Sequence, residues 1–387
     1  MKKEHAWRSM NLRQNGMIIA LIVIILGFGI ATGGTLFRPM NISNIFMQNS
    51  YEIILAIGMF FCLTTGGNVD LSVGSVAAFA GAMMGALTLN AGMPTWQAVV
   101  ITLVTGVLIG VVQGSFIAFL KVPPFIATLS GELVFRGLTQ VVLQGQTLSP
   151  FSEGFKFFAS GFVLRDVKVF GINIVCLICL ILGAAAIIFS EMKKRRSNKK
   201  YGFAQSSIYV SIAKCVFLIA VLSVILMSLS AYNGMPFILL VMAVLAIAYT
   251  FIANKTVLGR HVYMVGGNPK AAKLSGVRTD LVMLAVYTNM ALLATIAGFV
   301  VAGRLNAASP RAGIGYELDA IAACTIGGAG SASGTIMGAI IGATVMAILN
   351  NGMSILGIGT DMQQVIKGGI LLLAVTFDLY SKAKSKK

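Results

Sequence analysis

Aspartate and glutamate supply only 12 of the 387 residues, against 29 lysines and arginines, and histidine occurs twice. So few acids leave no readable pair of facing carboxylates for general acid–base work. His5 and His261 with five scattered cysteines give no metal-ligand spacing. The dipeptide Gly-Lys does not occur, which excludes a phosphate loop of the G-x-x-x-x-G-K-[ST] kind. The expectation is therefore no catalytic residue, no metal and no cofactor, and any ATP used must be hydrolysed by another chain. Cys62, Cys176, Cys179, Cys215 and Cys324 all lie in apolar stretches, so even the Cys176–Cys179 C-x-x-C reads as small buried hydrophobes in a helix.

What is abundant is apolar. Hydrophobic residues make up 57% of the chain and charged ones 11%, and mean hydropathy is +0.89. That excludes a soluble domain and predicts an all-α polytopic membrane protein. A net charge of +17 on a soluble protein would suggest nucleic acid. Here the basic residues cluster in loops between apolar runs, so no nucleic-acid partner is expected. The first run, Met17 to Phe37, is too long for a usual signal peptide and lacks an A-x-A-type cleavage pattern, so it reads as a retained span.

Twelve segments are expected, near 17–37, 51–65, 71–90, 97–120, 125–143, 171–190, 208–230, 236–253, 281–303, 317–329, 334–357 and 362–380. Counting each broken pair as one gives ten. Residues 1–387 form one domain, with tails over 1–16 and 381–387 and a large loop over 254–280. Parity puts 20 basic residues on one side, including Lys193, Lys194, Arg195, Arg196, Lys199 and Lys200 in one loop, and six on the other. Both termini are thus expected in the cytoplasm of a bacterial plasma-membrane protein, with the basic run against anionic lipid headgroups. The opposite loop, Gln144 to Val169, reads as a connection or as a surface for an external partner.

Two stretches interrupt the apolar pattern. Thr64-Thr65-Gly66-Gly67-Asn68-Val69-Asp70-Leu71-Ser72-Val73-Gly74-Ser75 divides one hydrophobic stretch. Ala323 to Thr335 divides another, and setting Gly66-Gly67 on Gly327-Gly328 also sets Ser72 on Ser333. This is a candidate internal repeat. Exposed backbone at membrane depth must be buried in protein or line a wet cavity, and broken helices are how many transporters build a passage. A neutral, hydroxyl-rich solute needs neutral hydrogen-bonding groups along its path. Thr64, Thr65, Asn68, Ser72, Ser75, Thr325, Ser331, Ser333 and Thr335 fit that need, and Asp70 either contacts substrate or caps the half-helix after it. Glu317 and Asp319 read as caps of the segment entering the second break. Glu132 and Arg136, at i and i+4 in an apolar helix, are placed to pair, and Lys214 and Lys367 to snorkel.

The 254–280 loop contains Gly266-Gly267-Asn268-Pro269-Lys270-Ala271-Ala272-Lys273-Leu274-Ser275-Gly276. Asn268 can cap a short helix that starts at Pro269 and stops at Gly276, with Ala271 and Ala272 allowing close approach. This stretch resembles the ATPase-contacting loop of permease subunits of bacterial monosaccharide ABC importers, the ribose, xylose and galactoside type. So do Thr65 to Ser75, Pro123-Pro124-Phe125-Ile126-Ala127-Thr128-Leu129, Gly315 to Ala323 and Leu349-Asn350-Asn351-Gly352, each similar to its own family motif. The resemblance covers almost the whole chain. It implies a homodimer, a separate cytoplasmic ABC ATPase docked on Gly266 to Gly276, and an external sugar-binding protein. The extra pair 171–190 and 208–230 leans the resemblance toward xylose-type members. Rivals are an ion-coupled secondary carrier, which an ion-gradient requirement would favour, and an ABC permease for nucleosides, autoinducer-type furanoses or branched-chain amino acids.

Overall fold

The computed structural model describes residues 12–203, 207–329 and 334–385. Eight of its helices are long and apolar enough to cross a membrane, or nine with a bent pair counted as one span. The only strands among the described residues are short pairs in connections, β1 (Phe162–Val163) with β4 (Met235–Pro236) and β2 (Lys168–Val169) with β3 (Ile172–Asn173). The protein is an all-α polytopic membrane protein.

Helix α1 (Leu12–Ala31) ends before the sequence reading placed it, because Gly33 and Gly34 take positive φ and turn the chain. The chain then forms α2 (Pro39–Gln48), which starts on Pro39 at its first position and meets α3 (Ser50–Thr64) at 43°. Every residue of α3 is buried. After the first break come α4 (Val73–Gly85), prolonged by one π-type turn over Ala86–Asn90, then α5 (Thr95–Ala118) and α6 (Pro124–Leu143). The connection that follows contains an amphipathic helix, α7 (Glu153–Ser160), capped by the Ser152 hydroxyl.

Helices α8 (Ile174–Lys200) and α9 (Ile208–Tyr232) pack as a hairpin at the edge of the bundle, mostly exposed along their length. Then follow α10 (Phe237–Lys255), two short helices α11 (Val257–Gly267) and α12 (Pro269–Leu274), and α13 (Thr279–Leu305). The chain closes with α14 (Tyr316–Ile326), α15 (Ile336–Ile355) and α16 (Thr360–Ser385).

Helix α13 is the hub and packs on α3, α4, α5 and α7. Gly106, Gly110 and Gly114 recur every four residues and turn one bare face of α5 toward it. A Cβ on Gly110 would sit 2.5 Å from the Thr288 backbone. In lipid, where no hydrophobic drive favours helix over lipid contact, such small-residue faces supply close van der Waals packing. The alternation of spans puts α11, α12, the basic end of α8 and the Lys121–Asp280 ion pair at one end of the bundle. The β1–β4 pair and the Leu148–Ala308 bridge lie at the other.

Candidate functional site

The first break, Thr65 to Ser72, begins where α3 runs out at Thr64. Gly66 and Gly67 both take positive φ, a conformation that strains any other L-residue. The Gly67 N–H donates back to the Leu63 carbonyl at 2.7 Å, closing the helix end. Space around Gly67 is open, so backbone conformation fixes glycine there.

The break re-enters helix through a carboxylate. Asp70 Oδ1 accepts from the Ser72 backbone N–H at 2.9 Å and the Ser72 hydroxyl at 2.6 Å. Gln113 of α5 completes the cluster, its Nε2 donating to Ser72 Oγ at 3.0 Å and Asp70 Oδ1 at 3.3 Å. Asp70 therefore acts locally as an Asx-type lead into α4. Thr65 donates to the Cys62 carbonyl at 2.7 Å, and Asn68 donates to the Thr65 carbonyl at 3.1 Å. Thr64, Thr65, Asp70, Ser72 and Ser75 are all buried. The hydroxyls of Thr64 and Ser75 are buried without a hydrogen-bond partner among the described residues. A hydrated solute reaches these groups only after something uncovers them.

Of the second break, Ser331 and Ser333 lie outside the described residues. Thr325 donates to the Ile321 carbonyl of its own helix at 2.8 Å, and Thr335 caps α15 by accepting from the Gly338 N–H at 3.0 Å. A Cβ on Gly327 would overlap the Gly338 carbonyl, whereas Gly328 takes positive φ. Crowding thus falls on Gly327. Helices α3 and α14 run side by side in the same direction, with the Cys324 thiol against the Ala56 carbonyl and Tyr51 against Asp319.

Helix α11 touches both breaks. Gly266 lies directly on the Thr64 carbonyl oxygen, which a Cβ would overlap. One turn earlier, the Tyr263 hydroxyl donates to the Gly334 carbonyl at 3.1 Å. Burial pushes the Tyr263 phenol up from its ordinary pKa, so it remains a donor. After α11 the chain turns at Asn268, whose side chain accepts from the Ala271 N–H at 3.1 Å and caps α12. Gly276, at φ +83°, stops it. The two alanines face opposite ways. Ala272 is buried in the cluster that holds Val265 and Val277, while Ala271, Lys273 and Ser275 are exposed and Leu274 is 90% exposed. The exposed face of α12 therefore carries Ala271 and Leu274. Ala272 serves internal packing.

At the other end of α3 lies a charged cluster. Glu52 is fully buried, and its Oε2 accepts from Asn350 of α15 at 3.4 Å. Asp319 of α14 accepts from Lys367 of α16 at 3.0 Å and from the Tyr51 hydroxyl at 3.4 Å. Lys367, expected to snorkel, is half-buried and pairs with the buried Asp319, which thus pairs where a helix cap was expected. Glu132 and Arg136, expected to pair, make no ion pair with each other. The Arg136 guanidinium donates to the Ala312 carbonyl at 2.6 Å, because the connection before α14 dips against α6 and offers it a nearer acceptor. Lys214 pairs with Glu191 at 3.2 Å.

The family described as branched-chain amino acid transport system / permease component matches residues 41–375. The chain belongs to this permease family. The permease is 40% identical over 383 residues to the xylose transport system permease protein XylH of Haemophilus influenzae, covering 97% of this chain and 99% of that protein. It is 36% identical to XylH of Escherichia coli, over 98% of this chain and 94% of that one. It is 31% identical to the ribose import permease protein RbsC of Escherichia coli, over 95% of this chain and 94% of that one. No solved structure matches. Within the permease, reading the sequence missed Gln113 and Glu52. Gln113 is a polar residue inside a long apolar run, and that isolation was the one available signal; Glu52 follows Gln48-Asn49-Ser50-Tyr51 and reads as part of that polar entry to the span.

Proposed function

We propose that this permease is the membrane-spanning subunit of an ABC importer for a monosaccharide, a xylose-like pentose or a hexose. An external binding protein delivers the sugar, and a separate cytoplasmic ATPase supplies the energy. Two copies form the translocating homodimer, both termini face the cytoplasm, and lipid surrounds the bundle. Its similarity to xylose and ribose permeases supports the sugar class.

The observation that carries the reading is the α11–α12 arm. It abuts both helix breaks with α11 and leaves an exposed apolar side chain, Leu274, on α12. An exposed leucine on a capped, short helix is what a groove in a partner takes up. Asn68, Asp70, Ser72 and Thr335 then hold the break ends, and Thr64 and Ser75 offer unused hydroxyls to a sugar once the arm moves. Gly266, Gly267 and Pro269 set the geometry of the arm.

The test uses Leu274→Asp and Ala271→Arg. Both positions are exposed, so folding changes by about 0.5 kcal/mol or less. Membrane abundance should stay at wild type, while ATPase co-purification and sugar-stimulated ATP hydrolysis are lost. Co-purification and xylose or ribose uptake unchanged in both variants would overturn the reading. Uptake that collapses on dissipating ion gradients and needs no ATPase would replace it with an ion-coupled carrier.

A further inference from the structure

The basic run at the end of α8 does more than mark a side of the membrane. On α8, Ile188, Met192, Arg195, Arg196 and Lys199 recur at intervals of four, three, one and three residues, so they share one face. On α9, Ile208, Ile212, Cys215, Val216 and Ile219 do the same. The two faces enclose a groove of about 530 Å³, and Lys199 stands just beyond its lining, three residues after Arg196 on the same face of α8. Its wall is apolar toward the bundle midplane and turns basic at the α12 end, where Arg195 and Arg196 line it.

The acid at the groove does not cancel this charge. Glu191 accepts from Lys214 at 3.2 Å and from the Ser211 hydroxyl at 3.0 Å. Arg195 donates to the same hydroxyl at 2.8 Å, so its guanidinium is held at the rim. Arg196 and Lys199 are exposed. A second groove, about 390 Å³ between α5, α7, α10 and α13, is lined by Val99, Leu103, Phe155, Phe158 and other apolar side chains without one basic residue. The α8–α9 groove thus differs in joining an apolar trough to a cationic mouth.

We propose that the α8–α9 groove binds one anionic phospholipid, its phosphate at Arg196 and Lys199 and an acyl chain along Ile212, Val216 and Ile219. Charge complementarity selects the occupant. A zwitterionic lipid brings its own cation to the mouth, and a soluble phosphate leaves the trough unfilled. The proposal rests on the membrane reading of the chain and not on its substrate.

The test is native mass spectrometry of the full chain released from detergent with phosphatidylglycerol or phosphatidylcholine added. Wild type should retain one phosphatidylglycerol at least fivefold more than phosphatidylcholine. Arg196→Ala with Lys199→Ala should remove the preference. Val216→Trp, which fills the trough and leaves every charge in place, should remove retention of phosphatidylglycerol while inorganic phosphate fails to compete in wild type. Circular dichroism and size exclusion check that the variants fold. Equal retention of both lipids, retention unchanged in Val216→Trp, displacement by inorganic phosphate, or a second copy of the chain cross-linked at Val216 would each overturn the site. Loss of sugar uptake has no bearing on this result, so failure here and failure of the transport reading are separable.

Discussion

The two ends of α3 are held by different physics. At Tyr51 and Glu52 the helix is tied to α14, α15 and α16 through charged and polar side chains, centred on the Lys367–Asp319 pair. At Thr64 it is held by backbone contact, with Gly266 against the Thr64 carbonyl, and the break beyond is closed by Asp70, Ser72 and Gln113. Asp319 is buried and Lys367 half-buried, and removing the lysine is costly because it strands the carboxylate's charge in low dielectric. A glycine–carbonyl contact is costly only to crowd and slides apart freely. The Glu52 end therefore behaves as an anchor, and the Thr64 end as a joint.

The largest expected effect tests the anchor. Lys367→Met leaves Asp319 without its cation and should lower stability by about 3 to 5 kcal/mol, read as a fall in thermal unfolding temperature in detergent. Adding Asp319→Asn should recover most of that loss. If Lys367→Met unfolds at the wild-type temperature, the charged cluster anchors nothing. The joint comes next. Gly266→Leu forces a side chain onto the Thr64 carbonyl, at a cost of about 3 kcal/mol, and on the scale of tenfold per 1.4 kcal/mol should cut sugar uptake about a hundredfold at equal membrane abundance. Wild-type uptake by this variant would show that α11 and α3 need no close approach. The smallest effect is at the break itself. Gln113→Leu removes one donor from Asp70 while the Ser72 donors remain, so about 1 kcal/mol is lost and uptake should slow several-fold with assembly intact. If Gln113→Leu slows uptake less than Gly266→Leu, the joint outranks the Asp70–Ser72–Gln113 cluster; the reverse order would exchange their roles.

Much of this was legible in the sequence, for stated reasons. Spans of about 20 apolar residues announce themselves, and the breaks at Gly66-Gly67 and Gly327-Gly328 stand out as polar gaps within them. The α12 helix was readable from Asn268, Pro269 and Gly276, because capping is a local code. Helix α2 was missed, since Pro39 to Gln48 carries three Asn or Gln residues and a serine and mimics a loop. Long-range partners were illegible. Glu132 and Arg136 look like an ideal i,i+4 pair, yet the nearer acceptor for Arg136 is a carbonyl 176 residues away. Lys367 looked like a span-end lysine because nothing local reveals Asp319. The different orientations of Ala271 and Ala272 follow from how α12 lies on the bundle, which no spacing within six residues encodes.

Tyr263 and Gly266 stand three residues apart on one helix, about 4.5 Å along its axis. One reaches the second break and the other the first. A short rigid rod with two such points of purchase cannot tilt or withdraw at one without shifting the other. The two half-helix tips are thereby yoked, and whatever force arrives through α12 is delivered to both at the same instant. Opening should then register as a single cooperative step, with no long-lived state in which one tip has moved and the other has not.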